Sequence, residues 1–215
     1  MAGKSENFWD SASKNYDNTE ERFEKIHVKS RENAKKHLAK HDVVLDYGCG
    51  TGTTACEIAN SVKEIHAMDI SSKMIEIAKE KADNLKIENI TFSQSDIFDA
   101  KYEKGSFDKI LAFNMLHTVP NPQKVVERID DLLKPDGLFI SVTPCLKDKM
   151  SFVVSVQIRL VQILCKLGII PVPIRRLKSS NLDDLLSNGN FISVTTEKIY
   201  SGATSYFMVV KKNRN

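Results

Sequence analysis

The chain has 215 residues, of which 41% are hydrophobic and 27% charged, with 31 Lys and Arg against 28 Asp and Glu. This length and composition are typical of one globular domain with a modest cap, and they exclude a disordered or fibrous chain. A formal charge of +3 is too small to indicate a nucleic-acid partner.

The first residues, MAGKSENFWD, are polar and lack the apolar centre of a signal peptide. No apolar run approaches the roughly 20 residues that span a bilayer. The four cysteines are widely spaced and form no CxxC pair, which argues against a disulfide framework and a zinc site. We therefore expect a cytoplasmic protein without a bound metal.

Residues 4–40 carry charges of both signs with scattered apolar positions, a pattern that predicts one or two amphipathic helices covering another part of the molecule. Beyond them, short apolar runs alternate with helical patterns. Ser71 or Ser72 is expected to cap the second of these helices, and Asn121 the third, with Pro122 at its first position. Strands are predicted at 43–45, 64–68, 90–93, 107–113 and 138–142, helices at 51–59, 72–82 and 122–133, and a turn at 135–137.

This alternation predicts a parallel sheet with helices on both faces. Two β-rich runs, 191–199 and 204–210, surround a Ser201-Gly202 turn and predict a hairpin on one edge. The expected fold is α/β, a doubly wound and mostly parallel seven-stranded sheet in a single domain. Its parts would be an N-terminal helical lid (1–40), a core (41–145), a helical cap (146–190) and the terminal hairpin (191–215).

A glycine-rich stretch, LDYGCGTG at residues 45–52, lies between the first predicted strand and helix. Glycine allows backbone conformations and close ligand approach that a Cβ would block. In an open α/β sheet, ligands bind at this turn. A dinucleotide fingerprint, GxGxxG, would need its third glycine at position 53, which is Thr53.

Three acids follow successive strands: Asp46, Asp69 and Asp96. Three carboxylates around one crevice would repel a pyrophosphate, whereas a sulfonium, an ammonium and ribose hydroxyls all suit carboxylate partners. Each acid alone could equally be a helix cap or a turn residue. Three of them at successive strand ends favour a ligand with the groups of S-adenosylmethionine (SAM).

Four features together resemble the class I SAM-dependent methyltransferases over residues 40–143: LDYGCGTG, the acid ending the second strand, the Asp-apolar pair after the third, and LKPDG before the fifth. The resemblance implies a Rossmann-like fold and SAM as cofactor, with S-adenosylhomocysteine as product. By this resemblance, the methionine end of SAM would be lined by Asp46, Gly48, Gly50 and Gly52, and the ribose would be held by Asp69. The adenine would be contacted by Ile70, Met74, Asp96 and Ile97. Asn114 would face the methionine moiety or the substrate.

The N-terminal aromatic segment, with Phe8, Trp9 and Tyr16, is similar to the start of many small-molecule methyltransferases. The similarity implies an aromatic-rich helix that closes over the cofactor, with Tyr16 as its cover. In the alternative, Trp9 and Tyr16 only fasten a helix to the core.

His117 is the candidate general base, because it lies three residues past Asn114 and imidazole titrates near neutral pH. A structural or solvent-facing role is the alternative. Residues 113–117 lack the Asn/Asp-Pro-Pro-aromatic motif of methylases that act on adenine amines or glutamine amides. Since the chain also has no RNA-binding module, we expect a small-molecule acceptor and no nucleic acid.

The segment 145–180 contains seven Lys and Arg but one acid, Asp148. Residues 150–167 are apolar except for Ser151, Gln157 and a polar stripe on one helical face, formed by Ser155, Arg159, Gln162 and Lys166. Three interpretations remain: a helix packed on the sheet or on the N-terminal helices, a lid over an apolar substrate pocket, or an element touching an anionic membrane through 146–178. The last two favour a lipophilic acceptor.

Three rival functions compete with this interpretation. A methyltransferase acting on protein or nucleic acid is disfavoured by the small size of the chain, its near-neutral charge and the missing Asn/Asp-Pro-Pro-aromatic motif. An NAD-type oxidoreductase is disfavoured by the glycine spacing and by Asp46. A catalytically silent SAM-binding protein, serving regulation or assembly, would carry the same cofactor residues. The sequence does not separate it from an enzyme.

Overall fold

The computed structural model describes residues 2–21, 23–187 and 189–213. Three helices come first: α1 (Ala2–Ala12), α2 (Tyr16–Glu21) and α3 (Glu24–Lys35), with a 3-10 turn at Ser13–Asn15. Strands and helices then alternate: β1 (Val43–Tyr47), α4 (Thr53–Ile58), β2 (Glu64–Asp69), α5 (Ser72–Asn84), β3 (Ile90–Gln94), β4 (Phe107–Phe113), α6 (Pro122–Leu132) and β5 (Leu133–Pro144). The last elements are α7 (Phe152–Lys166), α8 (Ser179–Ser187), β6 (Phe191–Ser201) and β7 (Ala203–Lys212).

One seven-stranded sheet organises the molecule, in the order β3-β2-β1-β4-β5-β7-β6. The first five strands are parallel, and β7 pairs antiparallel with both β5 and β6. The predicted doubly wound sheet with a terminal hairpin is therefore confirmed. The strand order reverses between β1 and β4, and in such sheets the crevice outside the carboxyl ends of the strands at this point receives ligands.

Apolar side chains cover both faces of the sheet. On one face, α6 and α8 contribute Val126, Ile129 and Leu182, all fully buried. On the other, α3 and α4 contribute Ile26 and Ile58. Burial on both faces explains why the parallel strands are continuous apolar runs.

Two predicted helix caps are present. The Ser71 hydroxyl accepts a hydrogen bond from the Met74 N–H at the start of α5, and the Asn121 side chain accepts from the Lys124 N–H at the start of α6. Each cap satisfies a backbone donor that the first helical turn cannot. Since α5 and α6 follow β2 and the β4 loop, these caps fix where both helices begin beside the crevice.

The fifth strand starts earlier than predicted. β5 begins at Leu133, directly after α6, and its register jumps from Phe107↔Leu133 to Lys109↔Leu138. The predicted turn at 135–137 is thus a bulge inside the strand, with Asp136 at φ 63°. Because the apolar pattern of α6 continues to Leu133, the sequence did not show that the helix ends and β5 begins there.

The predicted cap at 146–190 divides into two unlike parts. α8 belongs to the core, because Leu182 and Leu186 are buried against the sheet layer. α7, in contrast, has no buried residue. One side of α7, with Val154, Ile158 and Val161, is half-buried, and the other side is exposed. The interpretation that α7 packs on the sheet or on the N-terminal helices stays a prediction for the half-buried side only. Within the described ranges, no helix is long and apolar enough to cross a membrane.

Candidate active site

Two adjoining cavities lie at the carboxyl edge of the sheet. The smaller, here called the polar cavity, has a volume of about 290 Å³ and is lined mainly by charged and hydroxyl side chains. The larger, the apolar-walled cavity, has a volume of about 430 Å³. Four residues line both: Tyr16, Gly48, Phe113 and Asn114. Together the cavities are of a size that suits a small-molecule ligand, about 300–1,000 Å³.

The glycine-rich loop between β1 and α4 forms the floor where the cavities meet. Gly48 and Gly50 adopt positive φ angles of 73° and 53°, which L side chains rarely adopt. A Cβ at Gly48 would lie 2.1 Å from Sδ of Met115, and one at Gly50 would lie 3.4 Å from Cε1 of Tyr16. A side chain at position 48 would therefore collide with Met115, whereas one at position 50 would take the space beneath the Tyr16 ring.

Gly52 has a different place from the other two glycines. It lines neither cavity, and a Cβ there would lie 2.8 Å from Cβ of Ala78 on α5 and 3.1 Å from the ring of Phe92 on β3. Its missing side chain allows close packing of the loop against those elements. The expectation that Gly52 lines the methionine end of a cofactor does not agree with this position.

Asp46, at the end of β1, is an almost fully buried acid in the polar cavity. Among the residues that the structure describes, its Oδ2 has no hydrogen-bond partner. Burial, and after it the charge of Asp69, raise the pKa of the Asp46 carboxyl to about 7. A buried carboxylate without a partner is costly, so a cationic group in this cavity would be strongly favoured.

Asp69, at the end of β2, lines the apolar-walled cavity together with Ile70 and Met74. Its two carboxylate oxygens each accept one backbone N–H, from Gly50 at 3.0 Å and from Ser71 at 2.9 Å. Burial raises the pKa of Asp69, and these backbone donors oppose the rise. Since a carboxylate can accept about four hydrogen bonds, both oxygens retain capacity for a ligand.

The pair after β3 is only partly placed as predicted. Asp96 is exposed and lines the apolar-walled cavity. Ile97 is fully buried in the core and lines neither cavity. Its neighbour Phe98, which is 53% exposed, contributes the apolar wall instead. Sequence reasoning placed the apolar contact one residue too early, because the Asp96 side chain accepts from the Phe98 N–H and turns the chain there.

Asn114 follows β4 with a positive φ of 57°, and its N–H donates to the Val142 carbonyl at 2.8 Å. This contact with β5 holds Asn114 where it lines both cavities. Met115 follows it into the apolar-walled cavity.

His117, the candidate base, lines neither cavity. Burial lowers the pKa of its imidazole to about 4, so the ring is neutral at physiological pH. Its backbone carbonyl accepts from the Arg175 N–H at 2.8 Å, which joins the loop after β4 to the segment after α7. We therefore assign His117 no catalytic role.

The N-terminal helices close over both cavities. Tyr16 lines each of them and makes an edge-on ring contact with Trp9 at 6.4 Å. Asp17 accepts from the Thr51 hydroxyl at 2.5 Å, and Asp10 accepts from the Ser71 hydroxyl at 2.6 Å. The predicted lid is thus held to the glycine-rich loop and to the start of α5.

Three residues on α3 were not among the predicted site residues. Glu24, His27 and Arg31 all line the polar cavity, and Nε of Arg31 pairs with Glu57 at 2.9 Å. Burial, and then the Arg31 charge, lower the pKa of His27 to about 4. Their spacing of three and four puts the three side chains on one helical face, which was the only signal available. Within the described part of the chain, no group of His, Cys, Asp and Glu could hold a metal ion.

Residues 38–186, more than half of the chain, match the family described as "Methyltransferase domain". The chain is 33% identical over 102 residues to the demethylmenaquinone methyltransferase of Lactococcus lactis, a match that covers 46% of this chain and 40% of the relative. It is 33% identical over 99 residues to the ubiquinone biosynthesis O-methyltransferase of Coxiella burnetii, covering 46% of this chain and 42% of the relative. The matched part is thus less than half of these relatives.

Similarity to solved structures extends over more of the chain. The crystal structure of the YcgJ protein from Bacillus subtilis covers 88% of this chain and 100% of its own, with a TM-score of 0.72 and 19% identity. At this identity the likeness establishes the fold.

Proposed function

Since this chain belongs to the methyltransferase domain family, we propose that it transfers a methyl group from SAM to a small-molecule acceptor, and that the acceptor is lipophilic. The observation that carries the proposal is the buried carboxylate of Asp46, which has an oxygen without a partner among the described residues and faces the polar cavity. A cationic group is the ligand that best offsets the cost of burying the ionised form of such a carboxyl.

The residues at the junction of the cavities fit SAM. We assign the methionine end to Asp46, Gly48 and Asn114, because they surround the polar cavity with one buried carboxylate and a backbone without side chains. Gly50 has the space that the cofactor needs beneath Tyr16. A phosphate-bearing cofactor such as NAD fits less well, because Asp46, Asp69 and Asp96 would all repel it.

We assign the ribose and adenine to the apolar-walled cavity. Asp69 has accepting capacity for two ribose hydroxyls, while Ile70, Met74 and Phe98 offer apolar contacts to a base. Asp96 lies beside Phe98 and can accept from an amino group. This assignment replaces Ile97 with Phe98 and removes Gly52 from the cofactor site.

Bound SAM supplies a methyl group that its sulfonium has already activated. The residues of this chain then have to align the acceptor and exclude water, and alignment of that kind can contribute roughly 7–11 kcal/mol. Tyr16 and the lid helices cover the junction of the cavities, which restricts the entry of water. Neither His27 nor His117 has the near-neutral pKa of an efficient general base. The residues that line the cavities therefore contribute to the rate mainly by positioning the acceptor.

A lipophilic acceptor is favoured by the walls of the larger cavity. Beyond the residues assigned to the cofactor, the lining continues with apolar side chains, namely Val119, Pro120, Val125, Val172 and Pro173. Two relatives are named for demethylmenaquinone and for ubiquinone biosynthesis, which agrees with an acceptor of this kind. No observation favours a catalytically silent role.

Calorimetric titration with SAM, S-adenosylhomocysteine and NADH tests the cofactor. We expect the first two to bind and NADH not to bind, and saturation by NADH alone would refute the assignment. Transfer of labelled methyl groups from SAM to a lipid extract, compared with a water-soluble metabolite extract, tests the acceptor. Label that appears only in the water-soluble fraction would refute a lipophilic acceptor, while no turnover with either extract would favour the silent role.

A further inference from the structure

The outer face of α7 is apolar and exposed. At about 3.6 residues per turn, its most exposed apolar side chains fall within an arc of about 100°. These are Phe152, Val153, Val156, Leu160, Ile163 and Leu167, and Phe152 is 83% exposed. The opposite side of the helix is only partly covered by the rest of the protein. A monomer in water rarely leaves such a continuous apolar strip uncovered.

Cations border this strip. Arg159 and Lys166 are exposed and lie on the helical face next to it, and α7 contains no acid. Lys147 and Lys149 are exposed just before the helix, and the Lys149 ammonium lies 5.0 Å from the ring centre of Tyr200. The one acid of the segment, Asp148, is engaged by the Ser179 N–H and by Lys198.

Two other cations of the segment serve the fold. Nε of Arg175 donates to the Val119 carbonyl at 3.1 Å, and Nε of Arg176 donates to the Leu146 carbonyl at 3.1 Å. The Arg175 bond holds the segment after α7 against the loop after β4, and the Arg176 bond holds it against the chain just after β5. The charges next to the apolar strip are therefore those of Arg159 and Lys166.

We propose that α7 docks on the surface of a lipid bilayer that contains anionic lipids, with its apolar strip among the acyl chains and Arg159 and Lys166 at the headgroup phosphates. An apolar strip flanked by long cationic side chains is the pattern of helices that lie in such interfaces. A second copy of the chain is a poorer occupant, because facing α7 helices would double the cations and add no carboxylate.

The docked helix is connected to the apolar-walled cavity. The Cys165 thiol, near the end of α7, donates a hydrogen bond to the Val172 carbonyl at 3.4 Å. Val172 and Pro173 line that cavity. The end of the docked helix thus lies against the wall of the cavity that would receive a lipophilic acceptor from the bilayer. This last step rests on the proposed function, whereas the docking does not.

Flotation of the cofactor-free protein with phosphatidylcholine vesicles, with and without phosphatidylglycerol, tests the proposal. We expect binding only when phosphatidylglycerol is present, and release by added salt. The variant Phe152→Ser/Leu160→Ser/Leu167→Ser removes apolar contacts and should reduce vesicle binding about tenfold or more. The variant Arg159→Gln/Lys166→Gln should reduce it roughly tenfold.

Matched controls distinguish binding through α7 from non-specific binding of the protein to vesicles. Leu85→Ser/Ile192→Ser removes exposed apolar residues elsewhere, and Lys63→Gln/Lys79→Gln makes the same change of net charge. Both controls should float like the wild type. SAM titration of every variant should be unchanged, so a failure of docking is distinguished from a failure of the proposed function.

Three results would overturn the proposal. They are no salt-sensitive flotation with anionic vesicles, equal losses in the α7 variants and their controls, and sedimentation of a dimer that the serine variant dissociates. The last result would assign the strip to a second copy of the chain.

Discussion

The Asp17 carboxylate on α2 accepts a hydrogen bond from the Thr51 hydroxyl of the glycine-rich loop at 2.5 Å. The same carboxylate pairs with Lys81 of α5 at 3.1 Å, and Lys81 in turn donates to Thr53. One acid thus connects the lid with the loop and with α5. Because Tyr16 is its neighbour in sequence, this contact also determines where the Tyr16 ring lies above Gly50.

Removal of the Asp17 carboxylate should loosen the lid without unfolding the protein. We expect Asp17→Ala to weaken SAM binding by about 1 kcal/mol, the usual contribution of one hydrogen bond of this type. Global stability should change less, since the side chain is half exposed. Calorimetry measures the affinity, and limited proteolysis should show faster cleavage between residues 2 and 35. Glu80→Ala on the exposed side of α5 is the control, and equal effects of the two variants would contradict the lid assignment.

The raised pKa of Asp46 predicts that SAM binding depends on pH. In the cofactor-free protein this carboxyl, with its pKa raised to about 7, carries a proton below that pH and a negative charge above it. A cationic ligand binds the ionised form, so affinity should fall as the pH drops below 7 and should level off above it. Below neutral pH, binding should release up to one proton.

Calorimetry in two buffers of different ionisation enthalpy measures that proton. Asp46→Asn keeps the shape of the side chain but cannot titrate, so it should bind SAM more weakly and without this pH dependence. A wild-type pH profile in Asp46→Asn would show that another group is responsible.

A methyl group at Gly50 should interfere with the cofactor and strain the loop. Its φ of 53° is unfavourable for alanine by about 1 kcal/mol, and the new Cβ would lie 3.4 Å from the Tyr16 ring, in the space assigned to the cofactor. We expect Gly50→Ala to reduce SAM affinity more than tenfold. Gly105→Ala is the matched control, because Gly105 has a φ of 66° and a Cβ there would meet no other part of the described chain within 4 Å. Gly105→Ala should lose similar stability and retain SAM binding. Equal losses of affinity in the two variants would contradict the assignment of Gly50 to the cofactor site.

The order of the elements was accessible from the sequence because burial on both sides of a parallel sheet leaves a clear pattern. The run Phe107–Phe113 was predicted with the bounds that the structure shows. The cap at Asn121 was predicted, and Ser71 was one of two candidates for the other cap, because short polar side chains favour those positions.

Side-chain direction was less accessible. Ile97 and Phe98 are adjacent and both apolar, and only the turn at Asp96 decides that Phe98 faces the cavity. The cavity positions of His27 and Arg31 depend on how α3 lies on the sheet, which no local pattern in its charged sequence indicates. The exposure of α7 was equally hidden, since an apolar helix has the same composition whether the protein or another surface covers it.

The position of His117 predicts that it is dispensable for catalysis. Its imidazole has a pKa lowered to about 4 and lines neither cavity. We expect His117→Gln to change kcat/KM less than about threefold and to leave the pH profile unchanged, whereas loss of a general base typically costs about 10²–10⁴ in rate. Thermal unfolding of the variant is the control for folding. A loss of a hundredfold with an intact Tm would restore His117 as the base.

Asp69 tests the ribose assignment, and the choice of substitution matters. Asp69→Ala would remove the acceptor of both the Gly50 and the Ser71 N–H, so a loss of affinity could come from a disturbed loop. Asp69→Asn keeps one acceptor oxygen and removes the charge. We expect it to weaken SAM binding by about 1.5–3 kcal/mol, from the loss of charge-assisted hydrogen bonds. Asp96→Asn should have a smaller effect, because Asp96 is exposed and its bonds compete with water. Wild-type affinity in a folded Asp69→Asn protein would show that the ribose is held elsewhere.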